Sequence, residues 1–295
     1  IPNLLHAKDL TDERFDCFLP TLREYRRGRT RLHTDDKILT AWNALMIAAL
    51  CRLYRCSRDH RYLEAAKKAQ GFIENSLFSQ DTLYVSFRDG KLGEHGFLDD
   101  YAGYIFALLS LYDATLEETF LRRAMQLTRE TVTQYYDSEH GGFYLSGRDN
   151  ETLLFRPKEC YDGALPSGNS LITYVLVRLN ALLPDYSTEN ILNKQLAYMA
   201  GEAEQYPAGF SMFLMALSDF LEPSLLVTVV SNGEDLSDLP FVLPSDAIVK
   251  VLERPLQEYK LLNNETTFYV CRKCSCLPPM NKRQFMMEIL KQDKI

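Results

Sequence analysis

The sequence predicts a mainly α fold of the α/α-toroid class, with a small α/β segment at its C-terminal end. Three observations predict it. Helices starting near residues 35, 98, 166 and 207 are apolar on almost every face, whereas those between them are apolar on one side only. The first three starts lie 63 and 68 residues apart, which reads as an internal repeat of helical hairpins, although the fourth follows after only 41. Acids gather at the N-terminal end of the apolar helices. A plain bundle would reproduce the periodicity but gives no reason for acids to collect there.

In chain order, residues 12–28 predict a helix interrupted or kinked near Pro20 and ending at Gly28. The basic run that follows, with Arg26, Arg27, Arg29 and Arg31, reads either as a solvated face or as counter-charge to Asp35 and Asp36. The stretch TDDKILTAWNALMIAAL, residues 34–50, predicts the first inner helix, with Thr34 as N-cap and Asp35 and Asp36 in the first turn. On a 3.6-residue period Asp36, Thr40, Asn43 and Ile47 share one stripe, with Leu39, Trp42 and Met46 beside it. Residues 60–78 predict a one-sided outer helix that buries Leu63, Ala66, Ala69 and Ile73.

LYVSFRDGKLG predicts a short hairpin turning at Asp89-Gly90. Residues 97–114 repeat the first inner design: paired acids, an aromatic ring and an apolar shaft. An amphipathic helix over 117–137 and a Gly-Gly-aromatic hairpin lead to DGALPSGNSLITYVLVRLNALL, where Pro166 suits a helix first turn. STENILNKQLAYMAGEAEQ is amphipathic, and YPAGFSMFLMALSDFL is apolar up to Pro223. Beyond it LLVTVV, AIVKVL and TTFYVC are strand-like, and NKRQFMMEIL predicts a terminal helix. Residues 1–223 are therefore assigned to the toroid and 224–295 to the α/β segment.

Composition removes several function classes. The 295 residues are 46% hydrophobic and 25% charged, with a net charge of −7 and a pI near 5.4. That balance argues against non-specific nucleic-acid binding, which needs a basic surface. No run reaches the roughly 18–20 apolar residues that span a bilayer. The start, IPNLLHAKDL, has neither a basic leader nor a long apolar core, so it does not read as a signal peptide. A trimmed chain with further sequence upstream is expected from the missing initiator Met, and a reducing cytoplasm is the expected compartment.

Of seven cysteines, Cys17, Cys51, Cys56 and Cys160 fall in helical or apolar stretches and are expected to pack as small hydrophobes. The cluster Cys271, Cys274 and Cys276 contains a CxxC. It leaves packing or a disulfide, a zinc site and a redox dithiol all open, although closed zinc sites want four ligands.

Four inner helices running the same way bring their N-termini around one opening. That gathers Asp35, Asp36, Lys37, Trp42 and Asn43; His95, Asp99, Asp100 and Tyr101; Asp162, Ser167 and Asn169; and Tyr206. Aromatic rings stack on sugar faces and amides and acids satisfy hydroxyls, so the opening suits a sugar-like ligand. Glycosidic chemistry needs one neutral and one ionised carboxyl across the bond. Asp36 with Asp99 or Asp100 is the expected catalytic set, and Lys37, Trp42, Asn43, His95, Tyr101, Asp162, Ser167, Asn169 and Tyr206 are the expected binding residues. Capping is the competing reading for the acids and core packing that for Trp42. No H-x-x-x-H spacing is present, and Ser167 to Ser170 lack the lysine of a phosphate loop, so neither a metal nor a cofactor is expected.

Five stretches carry a family resemblance: RGRTRLHTDDKILTAWNALMIAAL, FLDDYAGYIFALLSLYDAT, GGFYLS, RPKECYDGALPSGNSL and YVCRKCSCLPP. In this order they resemble the C-terminal part of the thioredoxin-domain-containing family of the YyaL and spermatogenesis-associated type. The resemblance covers almost the whole chain. It implies a six-hairpin glycosidase-like α/α toroid, incomplete in this chain, whose missing partners are an N-terminal thioredoxin-like domain and the upstream toroid helices. It also implies that Cys271 and Cys276 belong to the family pattern and Cys274 does not. The sequence departs from the family at Leu32, where proline is typical, and at Ala44, where glycine is. Two functions follow as expectations: a carbohydrate-active or carbohydrate-binding toroid, or a non-enzymatic client-binding partner of the thioredoxin-like domain.

Overall fold

The computed structural model describes residues 13–31, 34–150, 154–223, 225–244, 246–272 and 275–292. The chain forms two compact units, Ile1–Lys37 and Ile38–Ile295.

In the first unit α1 (Glu13–Arg27) runs through Pro20 without a break and closes at Gly28, whose N–H donates to the Glu24 carbonyl. Arg23, Arg26, Arg27, Arg29 and Arg31 border one groove. Asp35 and Asp36 are not helical. The Asp35 carboxylate accepts the Lys37 N–H and lies 3.4 Å from its ammonium.

The second unit opens with β1 (Ile38–Leu39), and α2 (Thr40–Ser57) starts only after it. This corrects the expected start at Thr34. Ile38 and Leu39 are claimed by antiparallel pairing with Phe87 and Ser86, and the Thr40 hydroxyl and N–H are tied to Tyr84 and Val85. A backbone held in a ladder cannot also wind into a first turn.

α3 (His60–Ser76) returns along α2, capped by Asp59, whose carboxylate accepts the Arg61 N–H. Four short strands follow: β2 (Phe78–Ser79), β3 (Thr82–Leu83), β4 (Ser86–Arg88) and β5 (Lys91–Leu92). The last two meet at the expected Asp89-Gly90 turn, where φ is 50° and 76°.

Next come α4 (Leu98–Thr115), α5 (Glu118–Tyr135), α6 (Gly168–Leu182), α7 (Tyr186–Ala203) and α8 (Ser211–Leu221), the last preceded by a 3-10 turn, Pro207–Gly209. α6 begins after Pro166, because Ser167 supplies the cap and accepts the Ser170 N–H. The fourth inner helix begins at Ser211, leaving Tyr206 just before the 3-10 turn.

α2, α4, α6 and α8 pack side by side in that order, while α3, α5 and α7 pack on α2, α4 and α6 from outside. Inner helices backed by outer ones are α/α-toroid packing, and the fold is mainly α. α4 and α6 are buried nearly all round, as their composition predicts. α2 is not, because Trp42, Met46 and Leu53 are exposed at helical spacing. α8 likewise exposes Met215 and Leu221.

After residue 223 come β6 (Leu226–Val230), α9 (Leu239–Val242), β7 (Ile248–Leu252), β8 (Thr267–Arg272), β9 (Ser275–Cys276), β10 (Met280–Asn281) and α10 (Lys282–Gln292). All three strand-like stretches form strands. The sheet runs β10-β8-β6-β7, with β6 and β7 parallel and β9 paired to β8. It has its own core around Phe268 and Phe285, whose rings stack at 4.3 Å. β7 lies against α6, and the Tyr112 hydroxyl of α4 donates to the Val249 carbonyl.

Cys271 and Cys276 form a disulfide across the β8–β9 pairing, so Cys271 offers no thiolate for zinc, and Cys274 lies outside the described residues. Cys51 and Cys160 are buried as expected, with burial pushing both thiols up to about 12, whereas Cys17 and Cys56 are exposed.

Candidate functional site

The inner-helix N-termini do meet, and their acids hold them together. Asp100, in the first turn of α4, accepts the Ala41 N–H of α2 on one oxygen (3.2 Å) and its own Phe97 N–H on the other (3.0 Å). Its neighbour Asp99 turns the other way and accepts the Gly168 N–H of α6 at 2.7 Å. Asp162, in the loop before α6, accepts the Ser167 N–H and the N–H groups of Met212 and Phe213 at the start of α8. Each carboxyl thus answers orphan donors on an adjacent helix, so one residue both caps and fixes spacing. Gly168 is required for the closest of these approaches, since a Cβ there would sit 2.5 Å from the Asp99 oxygen.

Asn169 completes the frame. It is fully buried, exchanges both amide bonds with the Phe143 backbone at 2.9 Å, and donates to the Glu159 carbonyl. Asn43 donates to the Leu39 carbonyl one turn back. Asp162, Ser167, Asn169 and Asp100 are buried, while Asp99 is half-buried at the rim.

Three aromatic rings stand out from this frame. Trp42 is 63% exposed in the first turn of α2, and Tyr161 and Tyr206 stack nearly parallel at 6.4 Å with both rings more than half exposed. Tyr161 and Glu159 were not singled out from the sequence, although both sit in the ECYDGALPSGNS block beside Asp162.

His95 and Tyr101 line a different, polar cleft of about 300 Å³ together with Glu130 and Asp149. There the Tyr101 hydroxyl accepts the Leu83 N–H and His95 meets the Tyr84 ring edge-on. Asp36 and Lys37 belong to the first compact unit.

Burial sets the electrostatics. It raises the Asp99 carboxyl, against the Gly168 N–H, and the nearby Glu159 charge raises it further. Burial pushes Asp100 up to about 7 despite its two backbone donors. A carboxyl whose proton affinity burial raises has the makings of a general acid.

The inner helices α2, α4, α6 and α8 together line a cavity of about 370 Å³, walled by Leu45, Phe106, Tyr174 and Met215. Charges collect where the helices end. Arg178, only 3% exposed, clamps both Asp113 oxygens at 2.7 Å and donates to the Asp246 carbonyl. Arg55 donates to the carbonyls of Pro240 and Pro244 in the α/β segment. Among the described residues no three metal-type ligands converge, and no helix is long and apolar enough to cross a membrane.

No family model matches the sequence. The chain is 25% identical over 293 residues to the human spermatogenesis-associated protein 20, covering 89% of this chain and 37% of that one. It is 31% identical over 176 residues to the rat protein of the same name, covering 56% and 22%. A Caenorhabditis elegans protein is 31% identical over 166 residues, 54% of this chain and 22% of that one. The chain is thus similar to proteins of the spermatogenesis-associated type. It spans between about a fifth and two fifths of these relatives' length.

Among solved structures, a cellobiose 2-epimerase from Bacillus thermoamylovorans matches at TM-score 0.45 and 16% identity over 57% of this chain and 45% of that one. A family 76 glycoside hydrolase from Bacteroides thetaiotaomicron matches at 0.48 and 13%, over 56% and 36%.

Proposed function

We propose that the rim formed by the inner-helix N-termini binds a polyhydroxylated, sugar-like ligand and performs acid–base chemistry on it. The observation that carries this reading is the set of exposed rings, Trp42 and the Tyr161–Tyr206 pair, at the same inner-helix ends as the half-buried Asp99. Exposed aromatic rings fixed by a rigid frame lose little freedom when a sugar face stacks on them. Asp99 has one oxygen held by Gly168, and burial raises its carboxyl above its ordinary value, so it serves as the acid. Glu159, exposed and close enough to raise Asp99, serves as the base. Asp100, Asp162, Ser167 and Asn169 position the rim. A cytoplasmic location and a division of the chain at about residue 224 belong to the same proposal.

The test is titration of the full chain, and of the longer protein that contains it, with a panel of neutral, amino and uronic sugars. Binding weakened at least tenfold by Trp42→Ala or Tyr206→Ala supports the rim. Turnover lost in both Asp99→Asn and Glu159→Gln assigns the pair. No binding across the panel rejects the proposal.

A second reading is favoured by the apolar stripe Trp42, Met46 and Leu53 on α2. In it the toroid serves a thioredoxin-like domain as a client-binding or structural partner without chemistry of its own. Unchanged thiol–disulfide activity of the longer protein in Asp99→Asn, with loss in Met46→Lys, would favour that reading.

A further inference from the structure

The outer layer carries a groove that the rim does not use. Between α5 and α7 the helices part over α6 and leave a space of about 530 Å³, within the usual range for small-molecule sites. Leu176 and Leu179 of α6 form its floor, Met125 and Val132 of α5 one wall, and Ile191 of α7 the other. The floor residues are buried and the wall residues half-buried.

Two cations border this apolar trough: Arg129 on α5 and the half-buried Lys250 on β7. Among the described residues neither side chain has a hydrogen-bond or ion-pair partner, although elsewhere half-buried cations such as Arg123 and Lys158 are paired. One acid, Asp185, also lines the groove and is engaged in an interaction of its own. A half-buried ammonium without a counter-charge is unfavourable in the empty groove and becomes favourable when an anion reaches it.

We propose that this groove binds a medium-chain alkyl carboxylate, its chain along Leu176, Leu179 and Val132 and its carboxylate on Lys250 and Arg129. The apolar floor selects the chain, and the two cations select an anionic head over an alcohol.

Decanoate is the probe, titrated into the full chain by calorimetry below its micelle concentration, beside octanoate, dodecanoate and decanol. Each added methylene tightens binding about fourfold, so each two-carbon step gives roughly fifteenfold until the groove is full. Decanol and the Lys250→Met variant each bind about tenfold more weakly than decanoate and the parent chain. Val132→Asp, at a half-buried wall, abolishes decanoate binding while circular dichroism stays that of the parent chain.

Failure of decanoate to bind at millimolar concentration overturns the proposal. So does decanoate affinity unchanged by both Lys250→Met and Arg129→Met, which would make the groove an unselective apolar patch.

Discussion

The two ends of the inner helices solve the same electrostatic problem with opposite charges. At the N-terminal ends, unpaired N–H groups are answered by Asp99, Asp100 and Asp162, each reaching a neighbouring helix. Toward the C-terminal ends, Arg55 and Arg178 reach carbonyls of the α/β segment, and Arg178 also holds Asp113. Both follow the macrodipole, which favours anions at one end and cations at the other. The difference lies in what is left over. The C-terminal end is tied to the segment its arginines grip, whereas the N-terminal end keeps Trp42, Tyr161 and Tyr206 in solvent. Residues that fix spacing are buried, and those able to meet a ligand stand outside them.

The largest expected effect is at the C-terminal end. Arg178→Met leaves Asp113 without its clamp and removes the bond to Asp246, and should cost about 3–5 kcal/mol in urea unfolding. The double variant Arg178→Met with Asp113→Leu should recover most of that loss. A single variant as stable as the parent would mean the C-terminal end is not held by this pair.

At the N-terminal end, Asp162→Ala strips the acceptor from three backbone N–H groups and should cost about 1–3 kcal/mol by the same measurement. An equal loss at both ends would erase the contrast.

Asp100 sharpens the comparison through pH. Its folded value, about 7, lies above the ordinary 3.8, so protonation favours the folded state. The contribution is fully present below about pH 4 and is lost as pH rises through about 7. The stability difference between the parent chain and Asp100→Asn should therefore shift across that window, by a few kcal/mol at most. A constant difference between pH 4 and 8 would show that Asp100 stays ionised.

The smallest stability change is expected at Trp42→Ala, within about 0.5 kcal/mol because the ring is exposed, while sugar binding falls tenfold or more. A large loss of stability would place Trp42 with the frame instead of the ligand face.

Much of the architecture could be read from the sequence because burial leaves a period. α4 and α6, apolar on all sides, are buried on all sides, and α3 and α5 bury one face. The Asp89-Gly90 turn and the strands β6, β7 and β8 were equally plain. Helix starts were less so. TDDKILT carries good capping residues, yet pairing of Ile38 and Leu39 with Phe87 and Ser86 of β4 moved the start to Thr40, a competition between distant segments that no local pattern records.

The candidate site divides the same way. By itself the sequence determined that acids, rings and amides recur at equivalent ends of repeated apolar helices, since side-chain period and helix polarity are local properties. Only the tertiary structure decided which way each side chain turns. Asp99 and Asp100 are adjacent in sequence, and helical geometry sends one to α6 and the other to α2. The same geometry buries Asn169 as a clamp, puts His95 and Tyr101 in a separate cleft, and leaves Tyr161 stacked on Tyr206. Capping and catalysis draw on the same residue types, and only knowing which backbone donor lies within hydrogen-bonding distance tells them apart.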